Sequence, residues 1–349
     1  MAQPGQRVGE YVLDAKIGGG TFGEVWRARH HVWTDQFVAI KIPTDPQYLR
    51  NLQGEGVAIQ GLVHPNIVRA LGFDPYAELP YLTMEYLPGS SLRPFIEKKT
   101  LTTAQVVSIL RQVMAGLKCA HAHNVIHRDI KPENILIHER AARDGFDSEG
   151  VVKITDFGLG KAANFAAGSI AYSASMNSAA AKDIAGTLEY MAPEQRSGQP
   201  EARSDLYACG VLLYEMLTGE RPAGTDVPSD LNRAVPKYLD DIFRRSYARL
   251  DKRFASADEF LAALPAAPKT AAPPPLPRVP PAIAPRANVS VNCPKCHKFV
   301  DAADQFCMHC GVQLVTHVLR CTKCGGFPDA GDRYCIFCGE SLVPQAVSV

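Results

Sequence analysis

Eight of the ten cysteines lie between Cys293 and Cys338, and their spacing limits what that end of the chain can become. Cys293-x-x-Cys296 and Cys307-x-x-Cys310 recur as Cys321-x-x-Cys324 and Cys335-x-x-Cys338, with ten residues between the pairs each time and a period of 28. A unit this short lacks the apolar surface for a core of its own. A two-residue gap lets both thiolates of a pair meet one tetrahedral ion, and the second pair closes a four-cysteine site. Two Zn²⁺ ions are the expectation, with a rubredoxin-like iron centre as the alternative. Gly311, Gly325 and Gly339 follow the last cysteine of their pairs, where a tight turn is needed, while His297 stands at that place in the first pair. His297, His309 and His317 read as spectators.

The remaining cysteines, Cys119 and Cys209, are isolated and read as small buried apolar side chains. Between the two parts, Leu264 to Ser290 is dominated by Pro and Ala, a composition that favours extended polyproline conformation. It reads as a semi-rigid linker, or alternatively as a ligand for a proline-binding domain. The expected divisions are an N-terminal extension (1–10), a large domain (11–264), the linker (265–290), the cysteine module (291–342) and a tail (343–349). Neither a run of about 18 apolar residues nor a signal-peptide start is present, so a cytoplasmic protein without membrane contact is expected. That compartment also disfavours disulfides. A net charge of +1 from 37 basic and 36 acidic residues offers no field for nucleic acid. From Arg286 onward there are six basic and five acidic residues, and two zinc centres of four thiolates would add about two negative charges each. The module thus comes out mildly acidic, which favours an unidentified protein partner over nucleic acid.

Residues 11 to 43 alternate apolar and polar side chains as three strands should, Tyr11 to Ile17, Glu24 to Ala28 and Phe37 to Lys41. Gly18-x-Gly20-x-x-Gly23 joins the first two. A dinucleotide-binding turn would need a helix directly after the glycines. Glu24-Val25-Trp26-Arg27 is β-type instead, so the glycines are expected to form a hairpin flap able to lie close to phosphates. Lys41 is set to reach under that flap, with Glu55 on a following helix as its carboxylate partner; two solvated charges are the plain alternative. Tyr81 to Leu87 reads as a strand before the Pro88-Gly89 turn. Thr103 to Asn124 carries apolar residues at helical spacing and leads into His127-Arg-Asp129-Ile-Lys131-Pro-Glu-Asn134, then Asp156-Phe-Gly158. His121 and His123 read as ordinary helix-end residues.

These motifs, with Ala192-Pro-Glu194, Asp205 and Arg253 in the same order, resemble the eukaryotic-like protein kinase family over residues 11 to 264. The resemblance implies an α+β, bilobal protein kinase fold with a β-rich N-lobe and an α-rich C-lobe. It also implies an enzyme that moves the γ-phosphate of ATP to hydroxyl groups. Asp129 is then the residue that accepts or orients the hydroxyl proton, and Lys131 neutralises the transferring phosphate. Asn134 and Asp156 hold Mg²⁺, or Mn²⁺ in its place. Lys41, fixed by Glu55, contacts the α- and β-phosphates beneath Gly18, Gly20 and Gly23. Ile17, Val25, Ala39 and Leu136 form the adenine slot, with Met84 as gatekeeper and the backbone of Glu85 and Leu87 as hydrogen-bonding groups. The Lys in His-Arg-Asp-Ile-Lys-Pro-Glu-Asn and the Gly186-Thr187 to Glu194 segment resemble serine/threonine kinases of the bacterial type, so protein substrates with Ser or Thr acceptors are implied. Glu194 and Arg253 are expected to pair structurally. The cysteine module resembles a double zinc ribbon. A nucleotide-binding, pseudokinase-like scaffold is the competing reading, and a small-molecule kinase of related fold a third.

The chain departs from the family pattern in three places. Gly54, Gly56 and Gly61 are expected to weaken the Glu55 helix by about 1 kcal/mol each relative to Ala. The long stretch from Asp156 to Glu194 is Ala/Ser-rich, and phosphorylation at Ser169, Ser173, Ser175 or Ser178 could order it against Arg128. His138 to Gly150 reads as a hairpin excursion, and Thr218 to Tyr238 as an unusually short connection.

Overall fold

The computed structural model describes residues 2–20, 23–45, 48–157, 188–265, 290–301, 304–316, 318, 320–328, 334–335 and 338–342. The chain divides into two compact units, Met1–Thr270 and Ala271–Val349. Gly158 and Thr187, the four candidate serines, His317, most of the Pro/Ala run and the tail fall outside the described residues.

In the first unit, β1 (Arg7–Val8), β2 (Tyr11–Gly20), β3 (Gly23–His30), β4 (Phe37–Ile42), β5 (Ala70–Asp74) and β6 (Tyr81–Glu85) form one antiparallel sheet ordered β1-β2-β3-β4-β6-β5. The alternation that marks β3 puts Trp26 and Ala28 into a core with Leu13, Val38, Ile40 and Ile42. Val8 joins that core, so the expected N-terminal extension contributes a strand to the sheet. Across the sheet lies helix α1 (Leu49–Ile59).

A second antiparallel sheet, β7 (Gly89–Ser91), β8 (Ile135–His138) and β9 (Val152–Ile154), lies beside the helices. These are α2 (Arg93–Glu97), α3 (Thr103–Ala122), α4 (Ala141–Asp144), α5 (Pro193–Arg196), α6 (Ala202–Thr218), α7 (Pro228–Leu231), α8 (Lys237–Ser246) and α9 (Ala257–Ala263). Helix α3 starts at a capping box, where the Thr102 hydroxyl accepts from the Gln105 amide and the Gln105 side chain accepts from the Thr102 amide. Its Val106, Ile109, Leu110, Val113, Met114 and Leu117 are buried, at the helical spacing read from the sequence. Cys209 is fully buried as expected, but Cys119 is only partly so.

The stretches His138 to Gly150 and Thr218 to Tyr238 each contain a helical turn. His138 to Gly150 joins the paired antiparallel strands β8 and β9, as a hairpin excursion should, and it holds the helical turn α4, with Phe146 packed edge-on against Phe95 at ring centroids 6.1 Å apart. The short connection after Thr218 holds α7, pinned where Asp240 accepts from the Ser229 amide (3.0 Å) and hydroxyl (2.7 Å). No helix among the described residues is long and apolar enough to cross a membrane.

The second unit contains the strand pair β10 (Ser290–Asn292) and β11 (Phe299–Asp301) and the two cysteine repeats.

Candidate active site

Strand β4 delivers Lys41 to the interior, where an unpaired ammonium would be costly. Its Nζ lies 2.8 and 3.1 Å from the two carboxylate oxygens of Glu55 and 2.6 Å from Asp156 Oδ1. Burial alone would lower the Lys41 pKa, but Asp156 and Glu55 outweigh it and hold the ammonium above its ordinary value. Asp156, despite burial, is held below the usual carboxylate range by Lys41. Glu55 sits above that range because burial outweighs a lysine it shares with a second carboxylate. One ammonium thus clasps α1 to the segment after β9.

Gly61 does not belong to that helix. Helix α1 ends at Ile59 with Gln60 as its cap, and Gly61 follows with φ +85°, a left-handed position suited to the residue after a cap. Only Gly54 and Gly56 are interior. Two of the flap glycines also differ: a Cβ on Gly23 would come 2.7 Å from the Ile42 carbonyl oxygen, whereas one on Gly18 would make ordinary contact with Val25.

The segment from His127 to Asn134 is held by helix α6. Asp205 accepts from the backbone amides of His127 (2.9 Å) and Arg128 (2.8 Å), and His121 Nε2 lies 2.8 Å from the same carboxylate. These bonds hold Arg128 at φ +70°. The His127 ring packs on Phe157, centroids 4.5 Å apart, and its Nε2 lies 2.9 Å from the Thr155 carbonyl. His121, read as an ordinary helix-end residue, is therefore part of the scaffold; its partner lies 84 residues away.

Asn134 Nδ2 donates to the Asp129 carbonyl (2.8 Å) and carboxylate (3.0 Å), and Lys131 Nζ lies 3.0 Å from the same Asp129 oxygen. Burial raises Asp129 above the usual carboxylate range against the pull of Lys131. With Nδ2 committed to Asp129, the Asn134 side-chain atom suited to a cation is Oδ1. With Asp156 it supplies the hard oxygen donors that suit Mg²⁺. Arg128 Nε is buried without a hydrogen-bond partner among the described residues.

Ala39 pairs with Met84 across β4 and β6, and both are buried. Val25 and Leu136 are partly buried, while Ile17 is 48% exposed at the rim. The Glu85 amide donates to the Arg69 carbonyl (2.9 Å), so of its two backbone groups the amide is already engaged. Its carboxylate, which sequence reasoning did not single out, binds Lys153 at 2.7 Å. Below the site, Arg253 and Glu194 pair at 2.7 Å, with the arginine side chain fully buried.

This arrangement decides the family, because residues 11–267 match the protein kinase domain. The chain belongs to the protein kinase family. It is 34% identical over 282 residues to the serine/threonine-protein kinase Pkn1 of Myxococcus xanthus, an overlap covering 74% of this chain and 38% of Pkn1. It is 30% identical over 268 residues to the serine/threonine-protein kinase PrkC of Bacillus subtilis, covering 70% of this chain and 38% of PrkC. The kinase chain thus spans well under half the length of these relatives. The crystal structure of the PknI kinase domain of Mycobacterium tuberculosis shares the fold, with TM-score 0.56 and 21% identity over 76% of this chain and 98% of that one.

In the second unit of this kinase, Cys293, Cys296, Cys307 and Cys310 form one cluster and Cys321, Cys324, Cys335 and Cys338 another, with the four sulfurs of each within 4.8 Å of one another. Cys293–Cys310 and Cys296–Cys307 sulfurs are 3.6 Å apart, Cys321–Cys338 3.7 Å and Cys324–Cys335 3.5 Å. A disulfide would need about 2.05 Å. Four sulfurs about 2.3 Å from one tetrahedral ion would be spaced by roughly 3.8 Å, close to what is found. His297 adopts φ +59° where the other three pairs use glycine at +71° to +74°.

Proposed function

We propose that this chain is an ATP- and Mg²⁺-dependent protein serine/threonine kinase, cytoplasmic, with a zinc-bound double ribbon as its accessory module. The observation that carries this reading is the Lys41 ammonium bridging Glu55 and Asp156, together with a buried Asp129 flanked by Lys131 and Asn134. Charge neutralisation and positioning supply most of the catalysis in phosphoryl transfer, and these side chains are suited to both. Lys41 binds the α- and β-phosphates beneath Gly18, Gly20 and Gly23. Ile17, Val25, Ala39, Met84 and Leu136 enclose adenine, and the Glu85 carbonyl with the Leu87 backbone orients it. Asn134 and Asp156 would hold Mg²⁺, which supplies charge neutralisation between the phosphates. Asp129, raised by burial, orients the Ser or Thr hydroxyl and takes its proton, and Lys131 neutralises the phosphate in transit.

Zinc is the ion we assign to the two four-cysteine clusters, since thiolate sets of this spacing are closed and structural. Ten cysteines without a disulfide between any described pair favour a reducing compartment. The proposed limits are 1–10, 11–264, 265–290, 291–342 and 343–349. The ribbons are read as a protein-binding or regulatory module, with autophosphorylation among the kinase's reactions. Labelled ATP with a generic protein substrate tests the reading. Transfer by the wild type and none by Asp129→Asn is expected, whereas a silent wild type under both Mg²⁺ and Mn²⁺ would make the protein a nucleotide-binding scaffold.

A further inference from the structure

The two ribbons follow one backbone plan, bond for bond. The amides of Cys293 and Cys321 donate to the carbonyls of Lys298 and Gly326 at 2.9 and 2.8 Å, and those of Cys307 and Cys335 to Val312 and Glu340 at 2.8 and 2.7 Å. Isolated bridges join Phe306 to Gln313 in the first ribbon and Tyr334 to Ser341 in the second. By the 28-residue period, Phe299 corresponds to Phe327 and Phe306 to Tyr334.

The contact between the ribbons uses one member of each correspondence. Phe306 of the first ribbon meets Phe327 of the second edge-on, with centroids 5.6 Å apart and planes at 77°. Gln305 donates to the Pro328 carbonyl beside it, and the Arg320 guanidinium lies over the Phe327 ring at 5.7 Å. The two ribbons therefore meet head to tail: one offers the aromatic before its second cysteine pair, the other the aromatic after its first. A contact of this heterologous kind leaves one face of each type unused. Here the unused faces are Phe299 on the first ribbon, 72% exposed, and Tyr334 on the second, 63% exposed. The engaged Phe306 and Phe327 are 37% and 48% exposed.

We infer that the ribbons associate with a second copy of this chain by repeating the internal contact, Tyr334 of one copy packing on Phe299 of the next. The occupant follows from the repeat itself, because the surface complementary to Phe299 is made by this chain, in the position Phe306 holds within it. Only the aromatic part is reproduced. Val300, the counterpart of Pro328, is paired with Val291 in the β10–β11 strand pair, so its backbone is already engaged. The association is accordingly weak and concentration-dependent, as contacts of small area are. It rests on the metal-bound reading of the ribbons only in requiring them folded.

The test uses the full chain with two metals per chain verified by elemental analysis, followed by sedimentation equilibrium from about 5 to about 500 µM. The weight-average mass of the wild type should climb above the 37.9 kDa of one chain. Phe299→Ala and Tyr334→Ala should each stay at one chain, and Tyr334→Phe should associate like the wild type. An equimolar mixture of the two alanine variants should recover a dimer and go no further, because one competent pair of faces survives. A wild type that stays monomeric throughout, alanine variants that associate unchanged, or a mixture that stays monomeric would each overturn the inference. Full metal content with no association would do so while leaving the zinc assignment standing.

Discussion

Lys41 and Asp129 can be tested separately because they act on different partners. Asp129→Asn keeps the hydrogen bond from Asn134 but removes the proton acceptor, so kcat should fall by about 10²- to 10⁴-fold with the KM for ATP little changed. Lys41→Met strips the counter-ion from the buried Glu55 and Asp156 as well as from the phosphates. It should lower kcat/KM and also the melting temperature, readable in the same preparations. Arg253→Met should destabilise the kinase by about 3 kcal/mol, because Glu194 would be left partly buried without its counter-ion and held by the Ser204 hydroxyl. Glu194, Asp156 and Asp205 all titrate below their ordinary values of 4.5, 3.8 and 3.8, burial being outweighed by Arg253, Lys41 and His121 respectively. The unfolded chain therefore takes up protons first as pH falls. The stability these groups contribute is complete above their ordinary values and is lost as pH drops through the lowered folded ones. Melting curves from pH 7 to 3 should show this loss, and Arg253→Met should show a shallower one. The roles expected of Asp129 and Asn134 came from the resemblance of their motif to the protein kinase family, and the structure brings the two side chains together at 3.0 Å. The role of His121 was not readable, since nothing near it in sequence distinguishes it from His123.

Helix α1 carries Glu55 to Lys41, and the proposed activity depends on that pairing. A Cβ on Gly54 would meet nothing within 4 Å, and one on Gly56 would touch Leu82 and Phe73 at 3.5 Å. Gly54→Ala should therefore stabilise the helix by about 1 kcal/mol. Slower hydrogen exchange over Leu49–Ile59 and a higher basal rate are the expected readouts; unchanged exchange and rate would show that the glycines do not limit pairing. Gly61→Ala should act in the opposite direction, since φ +85° strains any residue with a Cβ. In sequence the three glycines look alike, and a helix end in a left-handed residue separates the third. Short elements were the least legible. The strand Arg7–Val8 and the turn Ala141–Asp144 have too few residues to show a period, and the strand is defined by its pairing with Tyr11–Val12. The longer Gly23–His30 strand and Thr103–Ala122 helix repeat their pattern often enough to be read directly.

For the molecule as a whole, the two units rest on different physics. The first buries a large apolar core, whereas the second, among the described residues, gathers Val300, Val312 and Leu314 around its cysteines. A strong chelator should therefore remove two zinc ions per chain and abolish exchange protection in residues 290–342, with recovery on adding zinc. Protection that survives metal removal would mean a core independent of the ion. The cysteine period made this division legible, while the aromatic contact between the ribbons was not, because the spacing says nothing of which faces meet. In the kinase unit, the carboxylate of Asp205 reaches back 78 residues to the His127 amide, and Arg253 reaches back 59 residues to Glu194. A ribosome adding about 5 to 20 residues per second needs roughly 4 to 16 s to go from the first of these positions to its anchor. The growing chain thus has every residue of its glycine hairpin several seconds before the His127–Asn134 segment gains the carboxylate that anchors it.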